Sequence, residues 1–136
     1  MSNILADHRT AVVDLLTAGV DTFFDGAVPN PTPSPPYVVG YVHIESLPGV
    51  DGNTLSGVSA TVTTRVICHC VGSDAVGSMA MAWQARSALL DVTPAVAGRS
   101  CAQILQESSA PPARDETTGS LVMDQVDVYR FNTYPA

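Results

Sequence analysis

The stretch TRVICHCVGSDAV, residues 64–76, joins an alternating pattern of apolar and polar side chains to the start of a helical pattern. Such alternation is typical of a β-strand with one buried face. The apolar face carries Val62, Thr64, Val66, Cys68 and Cys70. The opposite face carries Thr61, Thr63, Arg65 and His69. We therefore predict a strand over residues 58–71 that leads into a helix at about residue 74.

The triplet Cys68-His69-Cys70 has the residue types of a metal site but not the geometry of one. On one strand face the two cysteine Cα atoms lie ~6.6 Å apart, which is wide for thiolates that must each approach to ~2.3 Å from one zinc ion. The remaining candidates have no zinc-like spacing: Cys101, His8 and His43. We expect no metal, no cofactor and no strained disulfide between neighbours on a strand, and predict three free thiols.

Length and composition predict one domain over residues 1–136. The chain has 46% hydrophobic and 14% charged residues, which is typical of a folded globular protein. No apolar run is long enough to cross a bilayer, and the N-terminus lacks the pattern of a signal peptide. The odd number of cysteines, three, argues against a disulfide framework. We expect a soluble protein made in a reducing cytoplasm, without a membrane partner.

The charge distribution argues against direct nucleic-acid binding. The six basic residues are all arginines, spread singly along the chain, against thirteen acidic residues. The net charge is −7. A protein that grips phosphates usually has a clustered basic surface, which this sequence does not provide.

The pattern elsewhere predicts the element order helix, two strands, helix, two strands. Helical spacing covers residues 3–18, with Ser2 or Asn3 as the N-cap and Gly19 as a left-handed terminator. Residues 29–36, PNPTPSPP, hold five of the ten prolines and predict an extended connector. Residues 37–45 alternate like a strand, and the glycine-rich residues 46–57 predict a long hairpin loop.

The second half of the chain predicts a helix over residues 74–91 with Ser73 as its N-cap. One helix face carries Val76, Met79, Ala80, Trp83, Ser87 and Leu90. Alanines on the other sides allow close approach to a sheet, or to a neighbouring subunit. Strands are predicted over residues 100–108 and 121–134, with turn residues 109–119 between them. The last strand is polar on both faces around Asp124, Gln125 and Asp127.

No pattern of catalytic residues emerges. The sequence lacks a phosphate-binding glycine motif, a Gly-x-Ser-x-Gly elbow and a His-Glu-x-x-His motif. Three acidic residues near the 109–119 turn are expected to be solvated: Glu107, Asp115 and Glu116. The histidines at 8, 43 and 69 fall on separate elements and are expected to be structural or exposed. We therefore predict that the protein is not an enzyme.

Five short stretches of the sequence carry a resemblance to a known family. They are CHCVGSD (68–74), AWQARSALLD (82–91), PAVAGRSC (94–101), QESSAPPARDETTG (106–119) and VDVYRF (126–131). In this order they resemble the tail terminator proteins of siphovirus-type bacteriophages, which have long non-contractile tails, and especially those that infect actinobacteria. The likeness covers about residues 1–133. The sequence departs from the family at residues 29–36 and at Cys68-His69-Cys70.

The resemblance implies an α+β fold, a four-stranded antiparallel sheet packed with two helices in the order α-β-β-α-β-β. It also implies a homohexameric ring on the head-proximal end of the tail tube, at the tail–neck junction of the virion, assembled in the host cytoplasm. The ring stops growth of the tube, contacts the major tail tube protein and the head–tail connector or neck proteins, and lets genomic DNA pass through its lumen without specific binding.

On that basis we expect lateral contacts near Ala82, Arg86 and the last strand, and a tube-facing contact in the 46–57 loop, which includes Asp51 and Asn53. Acidic residues are expected to line the DNA path without binding DNA: Asp51, Asp124 and Asp127.

Two alternatives remain. The first is a neck or head-completion (stopper) protein that docks on the portal side. The second belongs to another class, a small α+β ligand-binding protein or enzyme. A deep pocket lined by Tyr41, His43 or Tyr129 would favour this second alternative.

Overall fold

The computed structural model describes residues 4–46, 61–117 and 119–136. Two helices and seven strands follow one another as α1 (Ile4–Gly19), β1 (Phe23–Asp25), β2 (Tyr37–Ser46), β3 (Val62–Gly72), α2 (Ala75–Leu89), β4 (Arg99–Cys101), β5 (Leu105–Ser109), β6 (Ala113–Asp115) and β7 (Val122–Pro135). The expected caps Ser2 and Asn3 and the expected 46–57 loop, apart from Ser46, lie outside the described residues.

The prediction of a four-stranded antiparallel sheet in the order α-β-β-α-β-β is wrong. The sheet is mixed and curled, with seven strands. β2, β3 and β7 form its antiparallel centre, and β1 pairs with β2 in parallel. β4, β5 and β6 all pair with β7, along the edge that β3 leaves free. The 14-residue β7 is long enough to hold three short strands on one side.

The predicted strand over residues 100–108 is divided because Ile104 turns towards the end of α2. Its amide donates to the Val92 carbonyl at 2.8 Å, and its carbonyl accepts from the Asp91 amide at 3.0 Å. These bonds take Ile104 out of the β7 ladder and separate β4 from β5. The predicted turn over residues 109–119 contains β6.

The alternation predicted for the strand before α2 is confirmed in β3. Val62, Thr64, Val66, Cys68 and Cys70 are fully buried on the helix side of the sheet. Val66, Cys68 and Cys70 join a core that includes Leu16 of α1, Leu89 of α2, and Tyr129 and Phe131 of β7. We call the opposite side of the sheet the open face.

The start of α2 differs from the prediction by one residue. Asp74, not Ser73, is the N-cap, and its Oδ1 accepts from the Gly77 amide at 2.7 Å. In the next turn the Ser78 hydroxyl donates to the Cys70 carbonyl at 2.6 Å. The first bond caps the helix, and the second fixes it against the end of β3.

The prediction that Gly19 terminates α1 in the left-handed conformation is wrong. Gly19 instead allows the two helices to pack closely. A Cβ atom at this position would lie 2.6 Å from the Cβ atom of Ala88 in α2. Glycine therefore lets the two helices approach more closely than any other residue would allow.

A buried polar chain attaches the start of α1 to the sheet. The His8 ring bonds the Ile4 carbonyl through Nδ1 at 2.6 Å and the Thr133 hydroxyl through Nε2 at 2.7 Å. Arg99 Nε donates to the same hydroxyl at 3.1 Å. His8 is fully buried and its ring nitrogens are both satisfied, as a structural histidine requires.

Candidate interaction surface

The outward side of α2 exposes three large apolar side chains in one stripe. Val76, Met79 and Trp83 are 76%, 56% and 66% exposed. We call these three residues, with Arg86, the α2 outer face. A contiguous apolar stripe of this kind marks a site of contact with another molecule more often than a scattered exposed residue does.

The α2 outer face is exposed because small residues occupy the side of the helix that meets the sheet. The buried residues of α2 are Ser78, Met81, Ala82, Ala85 and Leu89. Ser78, Ala82 and Ala85 let the helix approach the sheet closely, and the bulky stripe is left on the outside. The face named from the sequence lies away from the sheet: five of its residues are exposed and Leu90 is half-buried. The exposed five are Val76, Met79, Ala80, Trp83 and Ser87.

A groove of about 180 Å³ runs beside the α2 outer face, between α2 and strands β5 and β7. It is lined by Met79, Ala82, Trp83, Arg86, Gln106, Ser109, Gln125 and Asp127. Arg86 Nη1 donates to Gln106 Oε1 at 3.1 Å, and the guanidinium lies 5.9 Å from the centre of the Trp83 ring. This cation–π contact and hydrogen bond hold both side chains at the rim of what we call the α2 groove.

Asp127 lies at the base of the α2 groove and is only 3% exposed. The Ser109 hydroxyl donates to its Oδ1 at 2.6 Å, and Gln125 Nε2 donates to the same oxygen at 3.2 Å. A buried carboxylate needs such donors. Burial also means that Asp127 does not present its charge to solvent, so it does not suit the expected acidic wall of a DNA path.

The structure brings together part of the predicted interface. Ala82, Arg86 and Asp127 all line the α2 groove, whereas Asp124 lies on the open face. Asp51 and Asn53 lie outside the described residues. Ala82 is only 5% exposed, so a bulky charged residue at this position would disturb the domain itself as well as any contact. Trp83, which was placed on a helix face but not among the predicted interface residues, is the better position at which to test an interface.

A second concave site lies on the open face, and we call it the open-face cleft. Its volume is about 240 Å³, and its lining residues are Val28, Tyr37, Val39, Tyr41, His69, Val71, Asp115, Thr117 and Asp124. His69 Nδ1 donates to Asp124 Oδ2 at 2.8 Å, and the Tyr41 ring meets the His69 ring edge-on at 5.5 Å. Of the residues predicted for a ligand pocket, Tyr41 lines this cleft, His43 is exposed and Tyr129 is in the core.

The three acidic residues near the turn lie in different surroundings. Glu107 accepts from Arg65 Nε at 3.1 Å, Glu116 accepts from Arg114 at 2.9 Å, and Asp115 lines the open-face cleft. Among the described residues no group of three or more histidine, cysteine or acidic side chains is placed to hold a metal ion. None of the described helices is long and apolar enough to cross a membrane.

Comparison with known proteins identifies the fold. No protein family matches the sequence, and no curated protein matches it. Among solved structures, the chain is similar to a chain in the virion of a native gene transfer agent particle. The TM-score is 0.69 at 15% sequence identity, over 98% of this chain and 99% of that one. The two chains share one fold from end to end.

The His69–Asp124 pair predicts a pH dependence of stability. The Asp124 carboxylate raises the pKa of His69 by its hydrogen bond and charge, against a smaller opposing effect of burial. The stabilisation is therefore fully present below the unfolded pKa of about 6.5 and is lost as the pH rises through the folded pKa. We expect the His69 pKa, measured by NMR, to fall in Asp124→Asn. An unchanged pKa in that variant would contradict the pairing.

The three cysteines are predicted to differ in reactivity. Burial raises the pKa of the Cys68 thiol to about 12 and raises that of Cys70 as well, whereas Cys101 is partly exposed. The thiolate is the reactive form, so Cys68 and Cys70 should react far more slowly than an ordinary thiol. With Ellman's reagent we expect one thiol per native chain and three after denaturation.

Elemental analysis should find no stoichiometric zinc or iron, and one metal ion per chain would contradict the prediction of free thiols.

Proposed function

We propose that this chain is a structural virion protein that assembles into a ring through the α2 outer face. The observation that carries the proposal is the exposed stripe of Val76, Met79 and Trp83. The shared fold with a chain of a gene transfer agent virion supports it, because that likeness covers the whole domain.

The chemistry of the α2 outer face fits a protein contact. Burying one large apolar side chain contributes about 1.5–3 kcal/mol, and tryptophan, methionine and arginine are enriched where proteins meet. The α2 groove beside the stripe offers a concave surface with hydrogen-bonding groups at its base. A second copy that seats a different patch here makes a head-to-tail contact, and repetition of that contact closes a ring.

The ring we propose is a tail terminator, and its partners follow from the sequence resemblance. It is a hexamer that caps the head-proximal end of the tail tube, stops tube growth and joins the tail to the neck proteins. A terminator needs one face that matches the tube and another that does not resemble a tube end. Lateral contacts along the α2 outer face leave both faces of the ring free for these two roles.

Deletion of the gene from its phage tests the role. We expect tails of irregular, excessive length that do not join heads, and rescue by the wild-type gene. Tails of normal length beside filled, tailless heads would instead indicate a neck or stopper protein. Normal tails joined to capsids would contradict both roles.

A further inference from the structure

We propose that the open-face cleft binds a cationic group carried on an aliphatic chain, such as the guanidinium of an arginine side chain or the ammonium of a polyamine. The inference goes beyond the ring and does not depend on it. It rests on the groups that converge in the cleft from β2, β3, β6 and β7.

Asp124 supplies one carboxylate to the lining of the cleft, and its side chain is 15% exposed. Its Oδ2 accepts from His69, but its Oδ1 is buried and has no hydrogen-bond partner among the described residues. A buried acceptor without a donor is unfavourable, and more so when it is charged. A cation bound in the cleft offsets part of this cost through charge attraction to the Asp124 carboxylate, without a hydrogen bond to the buried Oδ1.

Asp115 adds a second negative charge. Its Oδ1 accepts from the Thr117 amide at 2.9 Å and the Thr117 hydroxyl at 2.7 Å, and these bonds lower the pKa of Asp115. Burial raises the pKa of Tyr37 most, and the charges of Asp115 and Asp124 raise it further. Both carboxylates therefore act on the same part of the cleft. Among the described residues that line the cleft, His69 is the one basic side chain. With His69 neutral, the lining carries two negative charges and favours a cation.

The walls of the cleft suit the rest of such a ligand. Val28, Val39 and Val71 provide an apolar surface for a chain of methylene groups. The rings of Tyr37 and Tyr41 provide aromatic surface, to which cations are attracted. A volume of about 240 Å³ accommodates one long basic side chain but not a folded segment.

A bound cation and a proton on His69 compete, because both place positive charge beside Asp124. The titratable groups around His69 are Asp124 on β7, Asp115 on β6, and Tyr37 and Tyr41 on β2. Binding of the cation should therefore release the proton from His69, and lower pH should weaken binding by the same coupling.

The test uses butylguanidinium, which carries a guanidinium on a four-carbon chain, titrated into the protein and followed by NMR of the His69 ring. We expect saturable binding that is about tenfold tighter at pH 8 than at pH 5.5, together with a lowered pKa of His69 at saturation. Asp124→Asn should weaken binding by about tenfold or more. Asp115→Asn, at a more exposed position, should weaken it too and keeps the test valid if Asp124→Asn does not fold.

Asp14→Asn is the matched control, because Asp14 is an exposed acid on α1, away from the cleft. It changes the net charge equally and should leave binding unchanged. Absence of saturable binding, equal affinity at both pH values, or the same loss in Asp14→Asn would overturn the proposal.

Comparison of a monomer with the assembled ring distinguishes the two sources of the cation. If butylguanidinium binds the monomer but not the ring, a basic side chain of a neighbouring copy fills the cleft. If it binds both, the cleft is open to a free polyamine. Both results uphold a cation site. Failure of ring formation leaves the monomer titration intact, so the two proposals fail separately.

Discussion

Replacing Trp83 with aspartate is expected to convert the ring into folded monomers. Truncating a central aromatic residue of an interface costs about 2 kcal/mol or more per contact, which is about thirtyfold in the association constant. A closed ring repeats the contact at every subunit boundary, so the loss is compounded. The isolated domain should keep its circular dichroism and melting temperature, because the Trp83 side chain is mostly exposed there. Sedimentation velocity at equal concentrations measures the change.

Leu121→Asp is the control for this substitution. Leu121 is also an exposed apolar residue, but it precedes β7 and lies outside the α2 outer face and groove. It should leave the ring intact. Equal dissociation by both variants would mean that charge alone disrupts assembly, and a ring that survives Trp83→Asp would contradict the proposed contact.

Replacing Gly72 with alanine is expected to cause the largest loss of stability of any alanine substitution at the described glycines. A Cβ atom at Gly72 would lie 2.2 Å from the Ser78 amide nitrogen and 2.5 Å from the Gly77 carbonyl carbon. Both are backbone atoms at the start of α2, which the Ser78 hydroxyl fixes against the Cys70 carbonyl of β3. Neither atom can move aside as a side chain would. We expect a cost of about 3 kcal/mol, the upper end for overpacking, in the free energy of unfolding measured with urea.

Gly98→Ala separates crowding from backbone conformation. Gly98 has a φ angle of +72°, and a Cβ atom there would have no described atom within 4 Å, so alanine at this position is strained but not crowded. The expected cost is about 1 kcal/mol. If the free energy of unfolding falls equally in the two variants, the close contact of β3 with α2 is not what makes Gly72→Ala costly.

The central elements were predictable because their patterns are long. Buried and half-buried residues alternate over the first nine residues of β3, and helical spacing extends along the 15-residue α2. Strands β1, β4 and β6 have three residues each, which is too short for a period to appear. They become strands only because a longer strand offers them an unpaired edge, and pairing of this kind is a property of the assembled sheet.

The candidate sites were predictable only in part. The pattern of α2 contains both an apolar stripe and a stripe of small residues, and hydrophobicity alone favours the larger side chains for the core. The spacing of Ser78, Ala82 and Ala85 was the signal that α2 lies close to the sheet by its small side. His69 and Asp124 are 55 residues apart and meet because β3 and β7 pair His69 with Val126 and Val71 with Asp124. That register cannot be inferred from either strand alone.

The most direct test of the ring measures the environment of Trp83 and the mass of the particle together. Trp83 is the single tryptophan of the chain, so its fluorescence reports on the α2 outer face without a label. We predict a closed particle of about six times the 14.2 kDa chain mass, with blue-shifted emission and protection from acrylamide quenching, both lost on dilution to monomers. A monomer at all concentrations, or a ring in which Trp83 is quenched as readily as in the monomer, would contradict assembly through the α2 outer face.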